Sequence, residues 1–188
     1  MPERITLLST TSKHLHGTTV QQATTDIVGK IGENISVRRF NLVQAQSGTT
    51  VEHYIHGPGK LGVIVTLSHA GSATNEAIQG LAKDLCMQVA AAMPVAVSSS
   101  DISEDVLAKE REIYKDQAVN EGIPEAKLPM VVEGRVKKFL KEAALVEQLF
   151  VKDNKQTIAK VVEQVGKQAG VPSLKVESFV RWQLGEAL

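Results

Sequence analysis

The chain has 188 residues, of which 43% are hydrophobic and 22% charged, a composition typical of a globular protein with a full core. Its 21 basic and 21 acidic residues cancel, which argues against a protein that binds nucleic acid by neutralising phosphates. The single cysteine excludes an intramolecular disulfide and a cysteine-rich metal site. No apolar run is long enough to predict a membrane span, and the first residues lack the apolar segment of a secretory signal.

The first third of the sequence predicts a tail, a helix and a set of strands. Residues 1–17 show no sustained period and are predicted to be a tail, whereas residues 18–30 carry apolar side chains at helical spacing. Gly32 then supplies a left-handed stop to that helix. Three β-rich runs follow, at residues 35–44, in TTVEHYIHG and in LGVIVTL, and the turns between them predict an antiparallel meander.

Residues 73–93 form the clearest predicted helix, which Pro94 closes. Its apolar residues lie three or four positions apart, as on a helix with one buried face. This stripe consists of Ile78, Leu81, Leu85, Val89 and Ala92. We therefore expect the helix to cover one face of the sheet.

Two charged segments predict a protruding antiparallel helical hairpin. The first helix, residues 103–122, has six acids and three bases, so it is acidic. The second helix runs to Ala144 and has four bases and two acids within residues 130–143, so it is basic. A helix that is buried on most sides could not carry so much charge. The predicted seam between the two helices consists of Val132, Val136, Phe139 and Ala143.

A basic patch on the second helix has two interpretations. Arg135, Lys137, Lys138 and Lys141 could dock an acidic surface or RNA. They could instead form a solvated face that pairs with the acidic first helix, and the zero net charge favours this second interpretation.

The remaining residues complete an α+β fold, in which an antiparallel sheet is backed by helices. After a short extended segment, LVEQLFVKD, residues 155–169 predict a helix and residues 174–184 a last strand. The expected domains are a tail at residues 1–17, an α+β core formed by residues 18–100 and 145–188, and an inserted helical hairpin of the dimerisation type at residues 101–144.

The sequence offers little that would support catalysis. His53 and His56 are three positions apart on a predicted strand and so point to opposite faces, which prevents them from sharing a metal ion. GPGK, at residues 57–60, lacks the spacing of a phosphate-binding loop and reads as a hairpin turn. Cys86 lies beside an apolar stripe, where a thiol acts as a small hydrophobe. We predict a binding protein with no catalytic residue, no metal and no cofactor.

Five segments in a fixed order resemble the carboxyl-terminal two-thirds of elongation factor Ts from bacteria and organelles. They are KIGENISVRRF, YIHGPGKLGVIV, LAKDLCMQVAAAMP, EGRVKKFLKE and FVRWQLGE. The resemblance implies a protein that binds elongation factor Tu and speeds release of its GDP. It also implies a sheet-and-helix core that contacts this partner, a coiled-coil hairpin, and a location in the bacterial cytoplasm or in an organelle matrix or stroma.

The same resemblance implies a partner-binding site. The Ile-Gly pair that contacts the partner in this family corresponds to Ile31 and Gly32, and the His-Gly turn corresponds to His56 and Gly57. We include Tyr54, which precedes His56 on the same strand. For Gly32 alone, a role as the C-cap of its helix explains the residue equally well.

Two family features are not found in the sequence. One is the small N-terminal helical domain, and the other is a Thr-Asp-Phe-Val loop near the nucleotide site, where this chain reads SHAGSA at residues 68–73. The leading hypothesis is nucleotide exchange on elongation factor Tu. The alternatives are a binding module with little or no exchange activity, and a scaffold that forms a homodimer through Val132, Val136 and Phe139.

Overall fold

The computed structural model describes residues 4–11, 13–70 and 75–186. The chain divides into two compact units, residues 1–44 and residues 45–188, and each is described by itself. The first unit contains helices α1 (Arg4–Ser9) and α2 (Val20–Ile31). The second unit contains, in chain order, β1 (Thr49–His56), β2 (Leu61–Ser68), α3 (Glu76–Ala92), α4 (Glu104–Asn120), α5 (Leu128–Ala143), β3 (Leu149–Phe150), β4 (Asp153–Thr157), α6 (Ile158–Gln168) and β5 (Lys175–Gln183).

In the first unit, α2 is bounded by local caps at both ends. The hydroxyl of Thr19 accepts a hydrogen bond from the backbone N–H of Gln22 at 3.1 Å, which satisfies one of the free donors of the first turn. At the other end Gly32 adopts a left-handed conformation with φ of 76°, and its N–H donates to the carbonyl of Val28. The helix predicted over residues 18–30 is therefore confirmed, with its predicted stop.

The strand predicted at residues 35–44 was wrong. This segment forms neither strand nor helix. Its β-rich composition fits a strand, but a strand also needs a neighbour for its backbone hydrogen bonds and a surface that buries one face. Ile35 is 39% exposed and Leu42 63%, so two of its apolar side chains lie in contact with water.

The main sheet lies in the second unit and is antiparallel, with strand order β1-β2-β5. The hairpin between β1 and β2 turns at Gly57 and Gly59, both of which have positive φ. The strand that completes the sheet comes from the end of the chain, because β5 pairs along the free side of β2. Strands β3 and β4 form a separate two-stranded sheet.

The core of the second unit lies between the main sheet and α3. Alternate residues of β2, namely Val63, Val65 and Leu67, are buried on the face that α3 covers. The residues of the α3 stripe are buried as predicted for Ile78, Leu81, Leu85 and Val89, while Ala92 is half-buried. Asn75 caps the helix, and its predicted first residues, 73 and 74, lie outside the described residues. An α+β fold with an antiparallel sheet backed by helices is therefore confirmed.

A buried pair of glutamines ties α3 to the segment that follows α5. The side-chain nitrogen of Gln88 donates to the side-chain oxygen of Gln148 at 3.0 Å and to the carbonyl of Leu149 at 3.2 Å. The oxygen of Gln88 accepts from the backbone N–H of Val151 at 2.8 Å. The side-chain nitrogen of Gln148 donates to the carbonyl of Glu142. Because every polar side-chain atom of the two glutamines has a hydrogen-bond partner, these bonds replace those that the side chains would make with water.

Helices α4 and α5 pack against each other across a short connection at residues 121–127. Gly122, with φ of 74°, ends the first helix, and Pro129 stands in the first turn of the second, where its missing N–H is no loss. Arg111 of α4 bonds both Glu104 and Glu133, and Arg135 of α5 bonds Glu121. The contacts Arg111–Glu133 and Arg135–Glu121 join the acidic segment to the basic helix, whereas Arg111–Glu104 lies within α4.

The helix predicted at residues 155–169 begins three residues later than expected. Residues 155–157 belong to β4, and α6 starts at Ile158. Its apolar stripe includes the buried Ile158 and Val162. Polar residues such as Lys155 and Gln156 fit a strand or a helix equally well by sequence pattern. The pairing of β4 with β3 therefore decides where the strand ends and α6 begins.

Candidate partner interface

The predicted Ile31–Gly32 site lies at the carboxyl end of α2, in the first unit. Ile31 is 58% exposed, so its apolar side chain is accessible from solvent. A Cβ added to Gly32 would meet nothing within 4 Å, so packing within the chain does not require glycine here. Its positive φ does require it, and the C-cap role therefore accounts for this residue within the chain.

The predicted residues Tyr54, His56 and Gly57 lie together at the end of β1, in the second unit. Tyr54 is half-buried against the core, whereas His56 and Gly57 are exposed. The Tyr54 hydroxyl lies 2.8 Å from Nδ1 of His56, and the two rings are tilted by 41° with their centroids 5.8 Å apart. Because side chains two positions apart share a face of a strand, this contact follows from the strand itself.

The turn after His56 fixes where the strand ends. Gly57 has φ of 64° and Gly59 φ of 80°, and the N–H of Gly59 donates to the carbonyl of Gly57 at 2.8 Å. A Cβ at either glycine would meet nothing within 4 Å, so the backbone conformation alone selects glycine. The result is an exposed loop beside an anchored tyrosine and an exposed histidine, an arrangement suited to contacts with another molecule.

The predicted seam residues lie on α5. Val132 and Val136 are buried within the chain, and Phe139 is half-buried. Leu128 of α5 and Ala118 of α4 are buried as well, in the pair that the two helices form. The assignment of these residues to a seam, and any role in a homodimer, stay predictions.

Cys86 and His69 both have hydrogen-bond partners in the structure. Burial is the main cause that raises the pKa of the Cys86 thiol from 9.0 to about 12, so the reactive thiolate is suppressed. Its Sγ donates to the carbonyl of Glu52 at 3.4 Å. His69 lies 3.1 Å from the Thr50 hydroxyl. In the described part of the chain, no three His, Cys, Asp or Glu side chains are grouped as metal ligands.

Sequence reasoning missed two polar features that the structure defines. The bond between Tyr54 and His56 could have been found from their spacing of two on a predicted strand. The buried Gln88 stands within the apolar helix α3, where a polar residue signals a buried hydrogen-bond network. Neither signal identifies its partner, because that depends on how the elements pack.

Two residues of the predicted basic patch on α5 have acidic partners. Arg135 bonds Glu121, and Lys138 lies 3.8 Å from Glu142.

The sheet and the helices that back it define an α+β domain, and comparisons identify the family of the chain. The family described as Elongation factor TS matches residues 3–186. The chain belongs to the elongation factor Ts family. Among the described residues, no helix is both long and apolar enough to cross a membrane.

Curated relatives named Elongation factor Ts match most of the chain. The protein from Clostridium perfringens (strain 13 / Type A) is 45% identical over 170 residues, which cover 90% of this chain and 55% of that relative. The protein from Clostridium botulinum (strain Alaska E43 / Type E3) is 43% identical over the same length, with the same coverage. The protein from Clostridium kluyveri is 41% identical over 170 residues, covering 90% of this chain and 54% of the relative. The chain therefore spans about half the length of the curated relatives it matches.

Proposed function

We propose that this chain binds elongation factor Tu and promotes release of its GDP, as a nucleotide exchange factor in translation elongation. The observation that carries the proposal is membership of the elongation factor Ts family over residues 3–186. The proposed place of action is the bacterial cytoplasm or an organelle matrix or stroma. No chemical step is needed, because an exchange factor acts through binding alone.

The proposed contact residues are those exposed at two element ends. Ile31 is the last residue of α2 and Gly32 caps it, while His56 is the last residue of β1 and Gly57 follows it, with Tyr54 two residues before His56. An exposed isoleucine offers apolar area, the two glycines leave room for close approach, and His56 offers a polar ring. Within this proposal, residues 18–100 and 145–188 act as the core, and residues 101–144 as an inserted hairpin.

Exchange requires a difference between two affinities. The chain must bind nucleotide-free elongation factor Tu more tightly than the GDP-bound form, because a ligand with equal affinity for both forms shifts nothing. Binding to the two forms can be measured by calorimetry with the intact chain. Tighter binding to the nucleotide-free form supports the proposal, and equal affinity for the two forms contradicts it.

A second candidate is binding without exchange. The sequence favours it at one place, because residues 68–73 read SHAGSA where the family resemblance implies a Thr-Asp-Phe-Val loop near the nucleotide site. In that case elongation factor Tu would bind the chain while its GDP left at the unassisted rate. A variant His56→Ala, compared with His53→Ala on the opposite face of β1, tests whether both candidates use the proposed surface.

A further inference from the structure

The Tyr54–His56 hydrogen bond joins a residue that packs against the core to a residue that is exposed. The backbone of Tyr54 pairs with Val63 in the β1–β2 ladder, and its ring packs against the core. His56 is the last residue of the strand, is exposed, and is followed by the left-handed Gly57. On its own, an exposed side chain at a strand end would sample several rotamers, so the hydroxyl of Tyr54 is what fixes this ring.

This contact also selects the position of the ring proton. A neutral imidazole has one N–H and one free nitrogen, and the hydrogen bond made by one nitrogen determines the role of the other. Of the two groups, the phenol hydroxyl is the better donor and the free imidazole nitrogen the better acceptor. Among the described residues Tyr54 Oη has no other hydrogen-bond partner, so we expect its hydroxyl to donate to Nδ1 of His56, 2.8 Å away.

We propose that Tyr54 is a positioning residue that holds His56 with its Nε2–H facing outward, and that the partner presents a hydrogen-bond acceptor there. A backbone carbonyl or a carboxylate oxygen of a protein would meet this requirement, whereas an ammonium or a backbone N–H would not. The partner half of this inference rests on the proposed function, since it concerns the same surface. The tautomer half depends on this chain alone.

The tautomer can be read directly from the ¹⁵N shifts of the His56 ring in the full chain at alkaline pH. The Nε2–H form should dominate in the wild type, and Tyr54→Phe, which removes only the hydroxyl, should shift the ring toward a mixture of both forms. The variant Tyr114→Phe makes the same chemical change on α4 and should leave the His56 signals unchanged. A wild type with mainly Nδ1–H, or an unchanged tautomer in Tyr54→Phe, would overturn the assignment.

Binding to elongation factor Tu tests the partner half in a double-mutant cycle. The variant Tyr54→Phe should bind elongation factor Tu about three- to tenfold more weakly than the wild type, because one oriented hydrogen bond is lost. In a His56→Ala background, the same change should cost less than about twofold, because the ring that Tyr54 orients is gone. Equal losses in both backgrounds would show that Tyr54 acts independently of His56 and overturn the positioning role.

A third outcome separates this inference from the proposed function. If the folded wild-type chain fails to bind elongation factor Tu in any nucleotide state, the proposed function fails, and with it the acceptor on the partner. The ring shifts would still decide whether Tyr54 orients His56, because that measurement needs no partner.

Discussion

The sheet core and the α4–α5 pair are stabilised in different ways, although they belong to one unit. In the core, Val65, Leu67 and Leu85 are fully buried, so their contribution comes from apolar area removed from water. In the helix pair, few side chains are buried, and the contacts between helices include exposed ion pairs such as Arg111–Glu133. The many charges of the pair therefore contribute little stability for their number, since exposed ion pairs are screened by water and salt.

The largest difference that we expect between the two regions is the rate at which a thiol in each reacts with an added reagent. Cys86 is buried in the core and should react with a thiol reagent only when the chain unfolds, at a rate lower than that of an exposed thiol by about 10³-fold or more. A matched comparison is Ile113→Cys in a Cys86→Ala background, since Ile113 of α4 is 47% exposed. Rapid reaction of Cys86 in the native chain would show that the core opens locally.

The same thiol predicts a loss of stability at high pH. Burial holds the folded thiol protonated up to about pH 12, whereas the unfolded thiol ionises near its ordinary pKa of 9.0. Its contribution is fully present below pH 9 and is lost as the pH rises toward 12, because ionisation then favours the unfolded chain. Denaturant titrations between pH 8 and 10.5 should show a smaller loss of stability in Cys86→Ala than in the wild type.

A pair of identical substitutions measures packing in the two regions. Leu85→Ala should lower the free energy of unfolding by about 3–5 kcal/mol, because it leaves a cavity that rigid neighbours cannot fill. Leu128→Ala in the helix pair should cost about 2 kcal/mol, since that side chain reaches the surface and its site can relax. Chemical unfolding of both variants tests this order. Equal losses would contradict the difference between the regions.

The smallest effect is expected from the ion pairs. Arg111→Gln removes contacts with Glu104 and Glu133 and should destabilise the chain less than Leu128→Ala. The difference between this variant and the wild type should shrink further as salt rises toward 1 M, because exposed charges are then screened. A loss that exceeds that of Leu128→Ala, or one that salt does not reduce, would mean that the pair depends on its charges.

Elements with their own local signals were predictable from the sequence. The α3 stripe, the Gly32 stop, and the hairpin of β1 and β2 all follow from short-range patterns of apolar residues and glycines. The strand predicted at residues 35–44 was wrong because a β-rich composition alone does not supply a pairing partner. The predicted start of α6 was three residues too early, because the pairing of β4 with β3 decides that boundary.

The candidate site was predictable only in part. The family resemblance implied His56 and Gly57, Tyr54 was added from its place on the same predicted strand, and in the structure the three lie together at the end of β1. The orientation of the histidine ring was not predictable, because it depends on where the Tyr54 ring packs against the core. Spacing gives the shared face, but only packing gives the contact.

Whether this chain promotes nucleotide exchange can be measured as the rate at which GDP leaves elongation factor Tu. A fluorescent GDP analogue bound to elongation factor Tu would be chased with excess unlabelled GDP, with and without an excess of the intact chain. We expect the chain to accelerate release and His56→Ala to reduce this acceleration, whereas His53→Ala should leave it unchanged. A release rate that the wild-type chain leaves unchanged, at concentrations where a pull-down shows binding, would contradict exchange and leave binding alone.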